Sequence, residues 1–312
     1  MRLPRLLLPL LALAGGCDSP VEAPLPPREY APGERVAFNV QLSDGRLCAG
    51  DERVVRTARV AAVSARAVVV ADEGNPAGGY GDDDFRALAA AFDTQVWPVV
   101  AANFGEPHDV DGNRRVVLLF TRAVNEQASA GQGWYVGGAF AARDLFPAAG
   151  SGRLGACPGS NQAELIYMPV PDPEGVVNGT RRTRDAESRR APALLAHELQ
   201  HVVNASRRLY GGGAVGADWN EEPWLNEGLS HVAEELMAYA TSDLRPRQGL
   251  TLDAVSASAD RQDAFSRFVY PNFTWAGYWL ADPAAASAYG ADTPAARGAA
   301  WQFLRYAADR RG

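Results

Sequence analysis

Hydrophobic and polar residues alternate between Glu34 and Asp72, and this period of two is typical of half-buried strands. One run of apolar residues on a single face comprises Val36, Phe38, Val40 and Leu42. The segment then becomes rich in valine from Val60 to Val70. The pattern predicts a small β-rich region over residues 34–75, which either forms a unit of its own or packs onto the rest of the chain.

The remainder of the chain contains apolar runs suited to strands and apolar spacings of three and four suited to helices. The predicted strands are Val116–Thr121, Trp134–Phe146 and Glu164–Val170. The predicted helices are Asp82–Val96, with Pro98 marking its end or a kink, Ala191–Leu209, Pro223–Ala240 and Ala296–Arg310. This mixture of elements predicts an α+β fold for the body of the chain, residues 80–312.

The first residues have the pattern of an export signal. Two arginines precede an apolar run from Leu6 to Ala14, which is too short to span a bilayer as a stable helix. Small residues then lead into Cys17 and resemble a bacterial lipobox, in which the cysteine is lipidated. We predict a signal peptide over residues 1–16, a lipid anchor at Cys17 and a proline-rich tether over residues 17–33. The alternative is an ordinary cleaved signal with a chance cysteine, which would make the protein secreted.

Composition narrows the class of protein and of partner. Of the 312 residues, 47% are hydrophobic and 21% are charged, which is typical of a globular protein. The formal net charge of −7 argues against nucleic acid as the main partner, because phosphate binding needs a basic surface. Membrane contact is expected through the lipid anchor predicted at Cys17.

Export also changes the expectation for the two cysteines beyond Cys17. Cys48 and Cys157 form an even pair in an oxidising compartment, where disulfides persist. We predict a disulfide between them, with two buried thiols as the alternative.

A cluster of acidic residues precedes the strand at Val116. Asp109, Asp111 and Asn113 surround Gly112 and suggest a calcium loop, but the spacing does not match that of an EF-hand. A tight turn before the strand is the favoured interpretation.

The sharpest pattern in the chain is His197-Glu198-Leu199-Gln200-His201. Histidines four residues apart project from one face of a helix, where both imidazoles can bind one Zn²⁺. Glu198 follows the first histidine, where it can reach a metal-bound water without being a ligand. A catalytic zinc site needs three protein ligands and an open position, and Glu227 in Trp-Leu-Asn-Glu-Gly on the next helix is the expected third ligand. We therefore expect one Zn²⁺ per chain.

These two segments together resemble the gluzincin metallopeptidases, in particular the hyicolysin-type secreted peptidases of bacteria. The Asp-Val-Asp-Gly-Asn turn at residues 109–113 shares this resemblance, which covers roughly residues 92–309. It implies a zincin-like catalytic domain with a mixed sheet and an active-site helix. It also implies a zinc endopeptidase with His197, His201 and Glu227 as ligands and Glu198 as the catalytic base. The Gly-x-Met-Glu-Asn motif of the related aminopeptidases is absent here, which argues against an obligate exopeptidase.

The chain also departs from the family pattern. Thermolysin-like members have an aspartate four residues after the glutamate ligand, where it holds a zinc histidine, and here that position is His231. His231 is expected either to contact a ligand histidine or to face solvent, and Glu234 and Glu235 are alternative carboxylates for that contact. Candidates for the residue that stabilises an oxyanion are Tyr270, Tyr278 and Tyr289.

The predicted activity is hydrolysis of peptide bonds in extracytoplasmic proteins, by a metal-activated water with Glu198 as general base. The expected partner is a protein or peptide substrate, and no pattern in the sequence indicates an oligomeric state. The alternative function is that of a catalytically silent zinc-fold lipoprotein, acting in envelope binding or assembly. The intact Glu198 argues against it, since a scaffold needs metal ligands but no base.

Overall fold

A six-stranded mixed sheet forms one layer of the protein, in a computed structural model that describes residues 27–42, 48, 53–129, 136–151, 154–211, 220–287 and 291–311. The predicted signal peptide, Cys17 and most of the predicted tether lie outside these residues. The strands are β1 (Arg35–Asn39), β2 (Val55–Val63), β3 (Ala67–Asp72), β4 (Val116–Phe120), β5 (Ala139–Phe140) and β6 (Leu165–Met168). Their order across the sheet is β1-β2-β3-β4-β6-β5.

The centre of the sheet is parallel and its edges are antiparallel. Strands β3, β4 and β6 run parallel, whereas β1, β2 and β5 join them in antiparallel pairs. Every residue of β4 and β6 is buried, as expected for strands covered on both faces. Leu118 and Phe120 face the helical layer, and Val117 and Leu119 face a second, smaller core. The predicted α+β fold class is therefore confirmed.

Helices cover one face of the sheet, and one short helix, Arg122–Asn125, packs into the smaller core on the other face. Their bounds are α1 (Asp82–Ala91), α2 (Trp97–Phe104), α3 (Arg122–Asn125), α4 (Arg184–Tyr210), α5 (Pro223–Thr241), α6 (Leu252–Ser256), α7 (Ala259–Ala264), α8 (Tyr270–Ala281) and α9 (Pro294–Arg311). The first part of this layer, α1, α2 and α4, packs on the sheet, while α5 packs on α4 and α9 packs on α5. No helix within the described residues has the length and apolar character needed to cross a membrane.

The helix that carries the two histidines begins seven residues earlier than predicted. Pro192 suits a first turn, which favours a start at Ala191, but α4 continues through this proline and begins at Arg184. Thr183 caps it, because its Oγ1 accepts a hydrogen bond from the backbone N–H of Ala186 at 3.2 Å.

Two other sequence predictions need correction. The predicted strand Trp134–Phe146 is reduced to β5, because a 3-10 helix follows at Ala142–Leu145, and residues 130–135 lie outside the described part. An end or a kink was predicted at Pro98, and of these two the helix does not end there. A π-helical turn at Phe92–Val96 precedes Pro98, which lacks an N–H, and the chain continues as α2.

The N-terminal strands are part of the same sheet as the rest of the protein. Strand β3 of this β-rich region pairs in parallel with β4. The predicted disulfide between Cys48 and Cys157 is present and spans 109 positions of the chain. Near it, the buried Asn39 of β1 donates from Nδ2 to the carbonyl of Gly159 at 2.7 Å.

The acidic turn before β4 is stabilised by hydrogen bonds among its own residues. Asp111 Oδ2 accepts a hydrogen bond from Asn113 Nδ2 at 2.6 Å, and Asp109 Oδ1 accepts one from the backbone N–H of Arg114 at 3.2 Å. Glu164, which the sequence analysis did not connect with this turn, accepts from the backbone N–H of Val110 at 2.6 Å. Burial raises the pKa of Asp111 to about 7 and that of Glu164 to about 8.

These raised pKa values predict a pH-dependent stability. A carboxyl group that keeps its proton in the folded state stabilises the fold most below about pH 4.5, and this contribution is lost as the pH rises towards 8. Glu164→Gln keeps an acceptor for Val110 but cannot ionise. We expect the stability of Glu164→Gln relative to the wild type to increase by on the order of 2 kcal/mol between pH 5 and pH 8, measured by denaturant unfolding. A difference that stays constant over this range would show that Glu164 is ionised in the folded protein.

Candidate metal centre

Helix α4 presents His197 and His201 on the side that faces α5. Apolar residues on its other faces, including Leu195 and Leu199, are buried in the core. Because the histidines are four residues apart, their rings lie one above the other, with centroids 4.8 Å apart. Both are buried, each with 7% of its surface exposed.

Helix α5 brings Glu227 to the same point. Glu227 Oε2 lies 3.5 Å from His197 Nε2, and Glu227 Oε1 lies 3.6 Å from His201 Nε2. Pro223 in the first turn starts this helix, so Glu227 lies one turn inside it. The three predicted ligands therefore converge, and their donor atoms form a group that could hold a metal ion.

The spacing of these donor atoms suits zinc. Two ligands about 2.0–2.1 Å from one tetrahedral zinc ion lie about 3.3–3.4 Å apart. The separation between His201 Nε2 and Glu227 Oε1 is 3.6 Å, close to this spacing and longer than an ordinary hydrogen bond. Two imidazoles and one carboxylate also form a donor set found in catalytic zinc sites. The helix with His197 and His201 thus fits a zinc site of the His-Glu-x-x-His type.

Glu234, one of the carboxylates predicted to contact a ligand histidine, contacts His197 at Nδ1, the ring nitrogen that does not face Glu227. Its Oε1 lies 2.6 Å from His197 Nδ1, so the opposite ring nitrogen, Nε2, is turned towards Glu227. His231 packs edge-on against His197, with ring centroids 4.8 Å apart, and its Nδ1 lies 3.2 Å from the same Glu234 oxygen. A carboxylate behind a ligand histidine fixes the ring orientation and the tautomer that binds metal.

The two ligand histidines differ in their affinity for a proton. Burial opposes protonation of His197, but Glu227 and Glu234 raise its pKa to about 10. Burial, reinforced by His197, lowers the pKa of His201 to about 4. The carboxylates around His197 thus favour one positive charge at this point, which a metal ion can supply in place of the proton.

The balance of charge inside the site favours a divalent ion. Burial would raise the pKa values of Glu227 and Glu234, but hydrogen bonds and charge interactions with the histidines keep both below their usual range. With Glu198 there are three carboxylates, of which Glu198 and Glu234 are buried and Glu227 is partly buried, and the guanidinium of Arg297 contacts Glu227. Once all three are ionised, two negative charges remain for a divalent cation to neutralise.

Glu198 lies beside the donor group without joining it. It is buried, and this burial raises its pKa to about 7, with His197 acting in the opposite direction. The backbone of Gly138, which leads into β5, passes directly over its side chain. A Cβ atom at Gly138 would lie 2.8 Å from Glu198 Oε1 and 2.9 Å from its Cγ. Only glycine leaves room for the Glu198 side chain in this position.

Three residues of this site were not found from the sequence. Gly138 and Arg297 belong to distant segments, and no local spacing connects either one with the histidines. Ser230, three residues after Glu227, could have been found from helical periodicity. Its Oγ donates to the carbonyl of Glu227 at 2.7 Å and lies 3.1 Å from His197 Nε2.

The remaining candidates lie apart from the donor group. Glu235 faces α9 and accepts a hydrogen bond from Trp301 Nε1 at 2.9 Å. Tyr270 and Tyr278 are exposed on α8, at 59% and 58% of their surface. Tyr289 lies outside the described residues. The residue that would stabilise an oxyanion therefore stays unassigned.

The α+β fold and the His-His-Glu group on α4 and α5 together fit a metal site of the His-Glu-x-x-His type. No protein-family model matches the chain. The chain is 29% identical over 164 residues to the neutral metalloprotease ShpI of Staphylococcus hyicus. That match covers 53% of this chain and 33% of the relative, so the chain spans about a third of the relative's length. The similarity agrees with a metallopeptidase at the level of the broad class.

The contact between Glu234 and His197 leads to a prediction about metal affinity. Glu234→Gln keeps an acceptor for His197 Nδ1 but removes the charge, and we expect zinc affinity to fall by about 10–100-fold. Competition with a chromogenic chelator would measure the affinity. The matched control is Glu235→Gln on the same helix, which should lower the melting temperature but leave zinc affinity unchanged. Equal zinc affinities for the two variants would contradict the role given to Glu234.

Proposed function

We propose that the protein is a zinc-dependent endopeptidase that hydrolyses peptide bonds of extracytoplasmic proteins. His197, His201 and Glu227 bind the metal, and Glu198 is the general base. The observation that carries this proposal is that the candidate metal ligands and the candidate base are different residues next to each other at α4. Three donor atoms converge on one point, while the buried Glu198 is adjacent to them and is not one of the donors. The similarity to a neutral metalloprotease supports the same conclusion.

Glu198 is suited to moving a proton at neutral pH. When bound, zinc supplies a Lewis acid that polarises the scissile carbonyl and lowers the pKa of water. The Glu198 carboxylate accepts the proton of the attacking water and then donates it to the leaving amine. Because burial raises its pKa to about 7, Glu198 can take up and release a proton without a large cost in either direction.

The edge of the sheet next to Glu198 favours an endopeptidase. Among the described residues, β5 is the last strand of the sheet and pairs with β6. The segment that leads into it contains Gly138, against Glu198. An exposed strand edge can bind an extended peptide through backbone hydrogen bonds, and it sets no limit on the length of that peptide in either direction. We infer that the substrate backbone lies along this edge with its scissile bond at Glu198.

Export of the protein is part of the same proposal. The disulfide between Cys48 and Cys157 is of the kind that persists outside the cytoplasm. The secretion pattern in residues 1–16 and the lipidation pattern at Cys17 would place the enzyme on the bacterial cell envelope. Without lipidation it would be secreted.

The function is tested by Glu198→Gln, which keeps volume and zinc ligands but removes the proton acceptor. The variant should hold one equivalent of zinc and melt near the wild-type temperature. It should cleave casein slower by about 10²–10⁴-fold, the usual contribution of a positioned general base. Zinc content is measured by metal analysis of the purified protein, and the wild type assayed with a chelator is the control.

Two outcomes would contradict the proposal. Wild-type activity in a zinc-loaded Glu198→Gln protein would mean that another residue is the base. A zinc-loaded wild-type protein that cleaves no member of a broad peptide library would favour the catalytically silent lipoprotein.

Gly138 provides a second test, which acts on the position of Glu198 rather than on its chemistry. The new Cβ of Gly138→Ala would push the Glu198 side chain away, so we expect zinc binding to persist and kcat to fall by about 10-fold or more. Gly137→Ala is the matched control, because its Cβ would meet the side chain of Leu194 instead. If both variants lose activity equally, the effect comes from the backbone of the segment and not from Glu198.

A further inference from the structure

Arg297, near the start of α9, contacts the proposed zinc ligand Glu227. Its Nη1 lies 2.8 Å from Glu227 Oε2. Two other nitrogens of the same guanidinium donate to Asp292, Nε to Oδ1 and Nη2 to Oδ2, both at 2.6 Å. This paired contact fixes the plane of the guanidinium, because both atoms of one edge are held. Nη1 is thereby held at ion-pair distance from Glu227 Oε2, without the geometry of a hydrogen bond.

A second arginine on α9 makes a similar contact away from the metal centre. Arg305 Nε lies 3.1 Å from Glu235 Oε1, and both partners are eight residues further along their helices than Arg297 and Glu227. Eight residues advance about 12 Å along a helix, so the two pairs hold α5 and α9 together at separate levels. Only the Arg297 pair involves a proposed metal ligand. An arginine–glutamate pair can therefore join α5 and α9 without contacting a proposed metal ligand, as the Arg305–Glu235 pair does.

The chemistry of the site gives the Arg297 contact a distinct role. A catalytic zinc site needs three protein donors and one open position. A carboxylate can bind one metal ion through both oxygens, and the second oxygen of Glu227 would then compete for the open position. A guanidinium held 2.8 Å from Oε2 opposes this, because its positive charge attracts that oxygen.

We propose that Arg297 is a positioning residue that holds Glu227 Oε2, so that Glu227 binds zinc through Oε1 alone and the fourth position stays open for water. This inference rests on the proposed function, because it takes Glu227 as a ligand. Asp292 sets the orientation of Arg297 and is part of the same arrangement.

The test compares Arg297→Met with Arg305→Met, each loaded with Co²⁺ in place of zinc. Both variants lose one arginine–glutamate pair between α5 and α9, so both should melt below the wild type. Only Arg297→Met should shift and weaken the visible absorption bands of cobalt, because a second oxygen of Glu227 adds to the coordination. We also expect its kcat to fall by about 10–100-fold with a smaller change in KM, as for other residues that orient metal ligands.

Two further variants separate positioning from loss of structure. Asp292→Asn keeps Arg297 but weakens the paired contact that fixes the plane of its guanidinium. It should change the cobalt bands in the same direction by a smaller amount. Arg297→Lys keeps the positive charge but lacks the planar guanidinium that binds both oxygens of Asp292, so it should restore the wild-type bands only in part. Wild-type cobalt bands and kcat in Arg297→Met, with only a lower melting temperature, would overturn the inference. If the wild type binds cobalt but cleaves no peptide, the proposed function fails, and the cobalt bands alone then decide the role of Arg297.

Discussion

Carboxylates and imidazoles are buried together where α4 packs against α5, and this cluster of charge constrains the structure around it. Ionised groups inside a protein are costly unless each is paired or binds a metal. Glu234 is paired with His197, and Glu227 with Arg297, so each of these two carboxylates has a partner on another helix. α4 is fixed in turn by its apolar packing on the sheet. The metal centre and the helical layer are therefore stabilised together, and metal binding should be linked to folding.

The part of the site that could be predicted is the part encoded by local spacing. The four-residue spacing places His197 and His201 on one face of a helix. Glu227 was predicted from the Trp-Leu-Asn-Glu-Gly segment, which together with the two histidines resembles the gluzincin pattern. Arg297 comes 70 positions after Glu227, and its contact depends on how α9 packs against α5, which no local pattern encodes. Gly138 escaped prediction for a similar reason, because its role is to lack a side chain next to Glu198.

In the fold, too, elements encoded by a local pattern were predicted, whereas those that depend on contacts between distant segments were not. β4 and β6 were predicted because buried central strands are continuously apolar. The strand predicted up to Phe146 failed because its second half contains Arg143 and Asp144, which are buried in a polar network. Asp144 accepts a hydrogen bond from the hydroxyl of Tyr167 at 2.5 Å, a partner that only the pairing of distant segments supplies.

That polar network connects the N-terminal strands with the catalytic candidate. Arg143 donates from Nη2 to the carbonyl of Asn39 in β1 at 3.1 Å, and Asn39 in turn binds the segment that contains Cys157. Arg143 lies in the 3-10 helix directly after β5, whose preceding residue, Gly138, packs against Glu198. The disulfide and β1 therefore hold the far end of the segment that packs against Glu198, the proposed general base. On this view the β-rich region contributes to the geometry of the site without supplying a residue to it, and oxidation of the cysteine pair helps to hold the backbone beside Glu198 in place.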